Sequence, residues 1–167
     1  ISVLKKSIYD SFHYHGMLNI LFLHNPRNEI KNWSKIIRFM KDLKNKKIIK
    51  YMGISLARDF YIEKNILNEF DFVQDEINLL RPGQLLSKKN KFKLVARSPL
   101  ATGILSNKFN INSKFTKQDY RYSWLKGKRK KTILAQTDEL KKIFGKNIMN
   151  SAYAYLLHNQ NIDKIIF

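Results

Sequence analysis

The stretch Leu18-Asn19-Ile20-Leu21-Phe22-Leu23-His24-Asn25-Pro26 constrains the fold more than any other part of the chain. Five of its first six residues are apolar, without alternation, which is the pattern of a strand covered on both faces in a parallel sheet flanked by helices. The character then changes within one residue to an imidazole, an amide and a proline. Pro26 cannot donate to a ladder and biases Asn25 towards an extended conformation, so the strand is expected to end there. A titratable ring is thus set at the carboxyl end of a strand, the edge where parallel α/β folds bind ligands.

The same arrangement recurs along the chain. Residues 2–12 carry Val3, Leu4, Ile8 and Phe12 at helical spacing, and Gly16 follows. Beyond a turn from Pro26 to Glu29, Ile30, Trp33, Ile36, Ile37, Met40 and Leu43 mark one face of a long helix. A strand from Ile48 to Ile54 ends at Ser55, and a helix is expected over 59–69 with Phe60, Ile66 and Leu67 inward. Phe70 to Val73 reads as a short strand ending at Gln74. A loop from Asn78 to Gly83 and a brief helix at Leu85 and Leu86 lead to a strand from Phe92 to Ala96, closed by Arg97-Ser98-Pro99. Residues 102–130 show no clear periodicity, and connections of that length are usually functional or mobile. Two helices follow, one with Ile133, Leu134, Thr137, Leu140 and Phe144 inward and Gly145 at its end, the other with Ile148, Ala152, Tyr155 and Leu156. A last strand begins at Ile162.

Strands alternating with helices, with no hairpin signal, imply right-handed parallel crossovers. No glycine-rich phosphate loop follows any strand, which argues against dinucleotide-binding open sheets and P-loop proteins. An eight-fold barrel takes about 250 residues, roughly 30 per unit. The 167 residues here therefore correspond to between about five and six units of a (β/α)8 barrel.

Composition narrows the setting. There is no cysteine, which removes disulfides and thiolate metal sites and fits a reducing, cytoplasmic compartment. No apolar run reaches the roughly 18 residues that a membrane span needs, and Ile1-Ser2-Val3-Leu4-Lys5-Lys6 has no signal-peptide pattern. The absence of a starting methionine is read as a chain that begins inside a longer protein. The formal net charge of +19 raises a polyanion-binding function, but the lysines are scattered. Only Lys126-Gly127-Lys128-Arg129-Lys130-Lys131 forms a block, without interleaved aromatics, so a nucleic-acid partner is not expected.

Taken together, four strand-end segments resemble the aldo-keto reductase superfamily. They are Leu21–Pro26 (LFLHNP), Lys50–Ser55 (KYMGIS), Val73–Leu80 (VQDEINLL) and Arg97–Lys108 (RSPLATGILSNK), in the family's order, with Asp119-Tyr120-Arg121 beyond the last. The resemblance runs from Ile1 to Phe167. It implies an α/β fold, a partial (β/α)8 TIM barrel holding strands four to eight with their helices. The chain would then be a single incomplete domain over 1–167, without the first three strands.

The same resemblance implies an enzyme that reduces an aldehyde or ketone with a nicotinamide cofactor, NADPH ahead of NADH. His24 matches the histidine that holds and polarises the carbonyl oxygen; a neutral imidazole N–H suits an oxygen gaining negative charge. Taken alone, one histidine is more often a packed or capping residue, and the four segments in register reverse that balance. Ser55 and Gln74 match residues that hydrogen-bond the nicotinamide carboxamide, which offers both donors and an acceptor. Leu56 stands where many members have an asparagine. Arg97 occupies the place of an aromatic that stacks on the nicotinamide, and a guanidinium plane can also stack. Ser98, Leu100 and Gly103 match the loop around the pyrophosphate, where small residues and backbone N–H groups suit phosphate oxygens. The family's catalytic tyrosine, aspartate and lysine would lie upstream of Ile1, so the piece by itself is expected to be inactive. A small carbonyl compound is the expected partner, with neither metal nor membrane. Two alternatives are a non-catalytic, cofactor-binding regulatory barrel and a basic nucleic-acid-binding protein.

Overall fold

The computed structural model of the chain describes residues 2–26, 30, 32–58, 61–83 and 90–167. The expected turn through residues 27–29, the inward Phe60 and the brief helix at Leu85 and Leu86 lie outside the described residues. Five strands pair in sequence order, β1-β2-β3-β4-β5: β1 Leu18–His24, β2 Ile49–Ser55, β3 Phe72–Glu76, β4 Lys93–Arg97 and β5 Lys164–Ile166. The register of β1 on β2 and of β2 on β3 is parallel, as the alternation of strands and helices requires.

By internal contacts the chain divides into two compact units, Ile1–Asp75 with Ser87–Val95, and Glu76–Leu86 with Ala96–Phe167. In the first, helix α1 (Ser2–His15) is closed by Gly16 at φ +71°, whose N–H reaches Phe12 O at 2.8 Å. Helix α2 (Trp33–Asn45) is capped by Asn32, whose side chain accepts from Lys35 N, and it buries Met40 and Leu43. Lys44 Nζ pairs with both carboxylate oxygens of Asp71 at 2.7 and 2.8 Å, and Asp71 Oδ2 also accepts Met52 N–H at 2.8 Å. That one carboxylate fastens α2 and β2 to the chain entering β3.

Three expectations change here. Strand β1 is half-buried along most of its length, because among the described residues it stands first in the strand order and pairs only with β2. Of the helix expected over 59–69, the described residues form only α3 (Lys64–Leu67), and Ile62 is buried ahead of it. Strand β3 runs on to Glu76, so Gln74 lies in its middle.

In the second unit, α4 (Arg121–Trp124), α5 (Gly127–Phe144), a 3-10 turn (Gly145–Asn147) and α6 (Ile148–Leu157) follow β4. Their core joins Leu134, Ile148 and Ala152 to Ala101, Ile104, Leu105 and Leu125. The segment 102–130, aperiodic in sequence, is therefore packed, through irregular turns as far as Tyr120 and then through α4 and the first turn of α5, which begins at Gly127. Gly145 ends α5 at φ +56°, a conformation that glycine adopts without steric cost.

Candidate functional site

In the first unit the register places His24 opposite Ser55, and Ser55 opposite Gln74. Paired residues of parallel strands face the same side of a sheet, so these three side chains form one row. Two residues back, the row below is Phe22, Gly53 and Phe72. A Cβ at Gly53 would lie 2.5 Å from Cδ1 of Phe22, so only glycine admits the ring. The upper row rests on that packed layer.

Ser55 is 1% exposed, and its hydroxyl donates to Gln74 Oε1 at 2.6 Å. This fixes the orientation of the half-buried Gln74 amide and leaves its NH2 without an acceptor among the described residues. His24 is exposed at the end of β1. The next residue, Asn25, is in the left-handed region at φ +47° and not extended as its place before Pro26 predicts. Asparagine tolerates that region, and its N–H adds one more ladder bond, to Ser55 O at 2.9 Å. Leu56 gives its N–H to Gln74 O at 2.8 Å and is itself buried.

In the second unit β4 ends at the half-buried Arg97, whose Nη1 lies 3.5 Å from Ser98 Oγ. The loop beyond it has four residues in the left-handed region: Ser98 (φ +56°), Ala101 (+48°), Thr102 (+55°) and Gly103 (+87°). Three of them are not glycine, a strain that persists only where surrounding contacts over-determine the backbone. Those contacts are present. Ala101 N–H returns to Ser98 O at 2.9 Å, Leu105 N–H to Leu100 O at 3.1 Å, and Ala101, Ile104 and Leu105 are buried. The backbone N–H groups of Leu100, Thr102 and Gly103 have no acceptor among the described residues. Backbone N–H groups gathered in a tight turn are a kind of element that can receive an anion.

Two side chains outside the expected set hold this loop. Asn78 is 0% exposed; its amide donates to Ser98 O at 3.1 Å while its Oδ1 accepts Leu80 N–H at 3.0 Å. Arg121 donates from Nη1 to Thr102 O at 3.1 Å and is paired with Asp119 at 2.8 Å. Hydrogen bonds from the Arg121 side chain, then from its backbone, hold the Asp119 carboxyl below the usual carboxylate range. A polar residue between Ile77 and Leu79 was the only sequence signal for Asn78. The triplet 119–121 was visible, but nothing in its spacing tells which backbone it grips.

A profile of the aldo/keto reductase family matches residues 4–167. The chain belongs to that family. Among solved structures, a glycerol dehydrogenase of Gluconobacter oxydans superposes with a TM-score of 0.69 at 18% identity, over 97% of this chain and 53% of that one. The holo form of an aldo-keto reductase from Bacillus halodurans gives 0.67 at 19%, over 97% and 53%. The chain thus spans about half the length of these reductases, and the fold of its five-stranded parallel sheet is that of their TIM barrel. A comparison with curated proteins finds no match. Among the described residues no helix is long and apolar enough to cross a membrane.

Proposed function

We propose that this aldo-keto reductase chain is part of an NAD(P)H-dependent oxidoreductase that reduces an aldehyde or ketone to an alcohol, with NADPH ahead of NADH. The observation that carries the reading is the row His24, Ser55 and Gln74, aligned by register across three neighbouring parallel strands of a chain from this family.

Each unit, taken by itself, offers groups that suit polar parts of the cofactor. Gln74 offers its NH2 to the nicotinamide carboxamide oxygen, and the buried Ser55 hydroxyl keeps that amide turned the right way. The N–H groups of Leu100, Thr102 and Gly103 suit pyrophosphate oxygens, with Ser98 at the start of the loop and Arg97 carrying a guanidinium plane of the kind that stacks on rings. When bound, the nicotinamide supplies the hydride. His24 donates an N–H hydrogen bond to the substrate carbonyl oxygen and stabilises the negative charge that develops there. A small carbonyl compound and a cytoplasmic setting complete the reading, with the lysines serving to solvate helix faces and not to bind nucleic acid.

The test is His24→Ala in the full-length protein. It should lower kcat/KM for a reactive aldehyde by roughly two to three orders of magnitude, the range for one lost oxyanion donor, and leave NADPH affinity unchanged. Wild-type turnover in the variant would remove His24 from the site. An unaltered protein that binds NADPH but reduces nothing would instead favour a regulatory barrel.

A further inference from the structure

We propose that Arg121 is a positioning residue: it sets the peptide between Thr102 and Gly103 so that the Gly103 N–H faces the dinucleotide pyrophosphate, and does not itself contact the phosphates. This rests on the cofactor reading above. In a trans peptide the C=O and N–H point in opposite directions. Arg121 Nη1 holds Thr102 O at 3.1 Å, so the Gly103 N–H is turned away from the guanidinium, and it has no acceptor among the described residues.

The guanidinium is fixed on its other sides. Asp119 Oδ2 accepts from Nη2 at 2.8 Å, and Oδ1 accepts from Nε at 2.9 Å and from the Arg121 backbone N–H at 2.8 Å. The planar cation lies over the rings of Phe109 and Phe115, at 4.4 and 5.4 Å from their centroids. Phe109 is moored in turn to α5, its carbonyl accepting from Lys141 Nζ, while Ile111 N–H donates to Asp138 Oδ2 at 3.0 Å. Gly103 leaves room for the arrangement, since a Cβ there would sit 3.3 Å from Arg121 Nη1. The positive charge is already matched by Asp119, so what Arg121 supplies is its planar fork and its stack, which a lysine cannot reproduce.

The experiment titrates NADPH into the full-length protein and into Arg121→Lys and Asp119→Asn. Positioning predicts that both variants bind roughly tenfold more weakly, the effect of losing a charge-assisted hydrogen bond. The KM for NADPH should rise accordingly, with kcat at saturation within about twofold. Direct charge contact predicts the reverse pattern: near-normal binding by Arg121→Lys, and tighter binding by Asp119→Asn, which leaves the cation less neutralised. That result would overturn the proposal. A second measurement, amide exchange at Ala101, Ile104 and Leu105, needs no ligand. These bonded N–H groups should exchange faster in Arg121→Lys and in the milder Phe109→Leu, and unchanged exchange would also overturn it. If the unaltered protein fails to bind NADPH, the cofactor reading falls; the exchange result then judges the loop-setting role by itself.

Discussion

The carboxyl ends of β1 and β4 make the same backbone move and carry their functional groups in opposite ways. At each, the residue before a proline sits in the left-handed region, Asn25 at φ +47° and Ser98 at φ +56°. At β1 the side chains of interest are then aligned by the sheet itself, because His24, Ser55 and Gln74 are register partners. Displacing one from the row needs a strand slip, which would turn a whole buried face outward. At β4 the alignment comes from individual side chains, Asn78 on Ser98 O and Arg121 on Thr102 O. A site ranked by register depends on the packing beneath it, and a site held by latches depends on each latch.

The largest expected effect tests the packing side of that contrast. Gly53→Ala sets a methyl against the Phe22 ring and should destabilise the chain by about 1–3 kcal/mol, the usual cost of overpacking. Thermal melting measures it, and adding Phe22→Leu should restore part of the loss through coupling of the two sites. Amide exchange in loop 98–103 should not change. An unaltered melting temperature in Gly53→Ala would show that the row does not rest on this layer.

A smaller effect is expected from Gln74→Ala, which strips the acceptor from a hydroxyl in a residue only 1% exposed. It should cost roughly 1–2 kcal/mol, and Ser55→Ala with Gln74→Ala should recover much of that, since no orphaned donor is left. Strictly additive losses in chemical denaturation would mean that the bond does not join the two strands.

The smallest effect separates the two regions by pH. Asp119 has its carboxyl held below the usual range, chiefly by Arg121. Its contribution is therefore complete above the ordinary carboxylate range and is lost as pH falls through the lowered value. Amide exchange at Ala101, Ile104 and Leu105, corrected for intrinsic rates, should speed up in acid while the Ser55–Gln74 pair, which is uncharged, holds. Asp119→Asn should remove that pH dependence; a loop equally protected at all pH values would contradict the latch.

Much of this was legible in the sequence where a period reports burial. Strands β1, β2 and β4, the helices α2, α5 and α6, and the stop at Gly145 follow from apolar spacing and from glycine. Strand β3 runs past its expected end at Gln74 through Asp75 and Glu76, polar residues only 3% exposed, whose burial leaves no apolar signal in the sequence. The packing of Ile104, Leu105 and Leu125 was hidden for a different reason: residues in irregular turns become buried at intervals that no helix or strand period fits. The candidate residues His24, Ser55, Gln74, Arg97, Ser98, Leu100 and Gly103 came from resemblance. The alignment of the first three is a property of strand pairing, which spacing along the chain does not encode. The grips of Asn78 and Arg121 are contacts between residues some 20 positions apart, beyond the reach of any local pattern.

The strand order has a bearing on how the chain comes to be folded. Each strand lies beside its immediate predecessor in sequence. A nascent polypeptide can therefore dock one β/α unit at a time onto the edge left by the last, from the amino end onward, as synthesis delivers it. Among these five strands none has to wait beside an empty slot for a later one to be inserted between its neighbours, the kind of delayed long-range pairing that slows β-rich chains and exposes them to aggregation. Over these five strands the sheet grows like a fence built post by post.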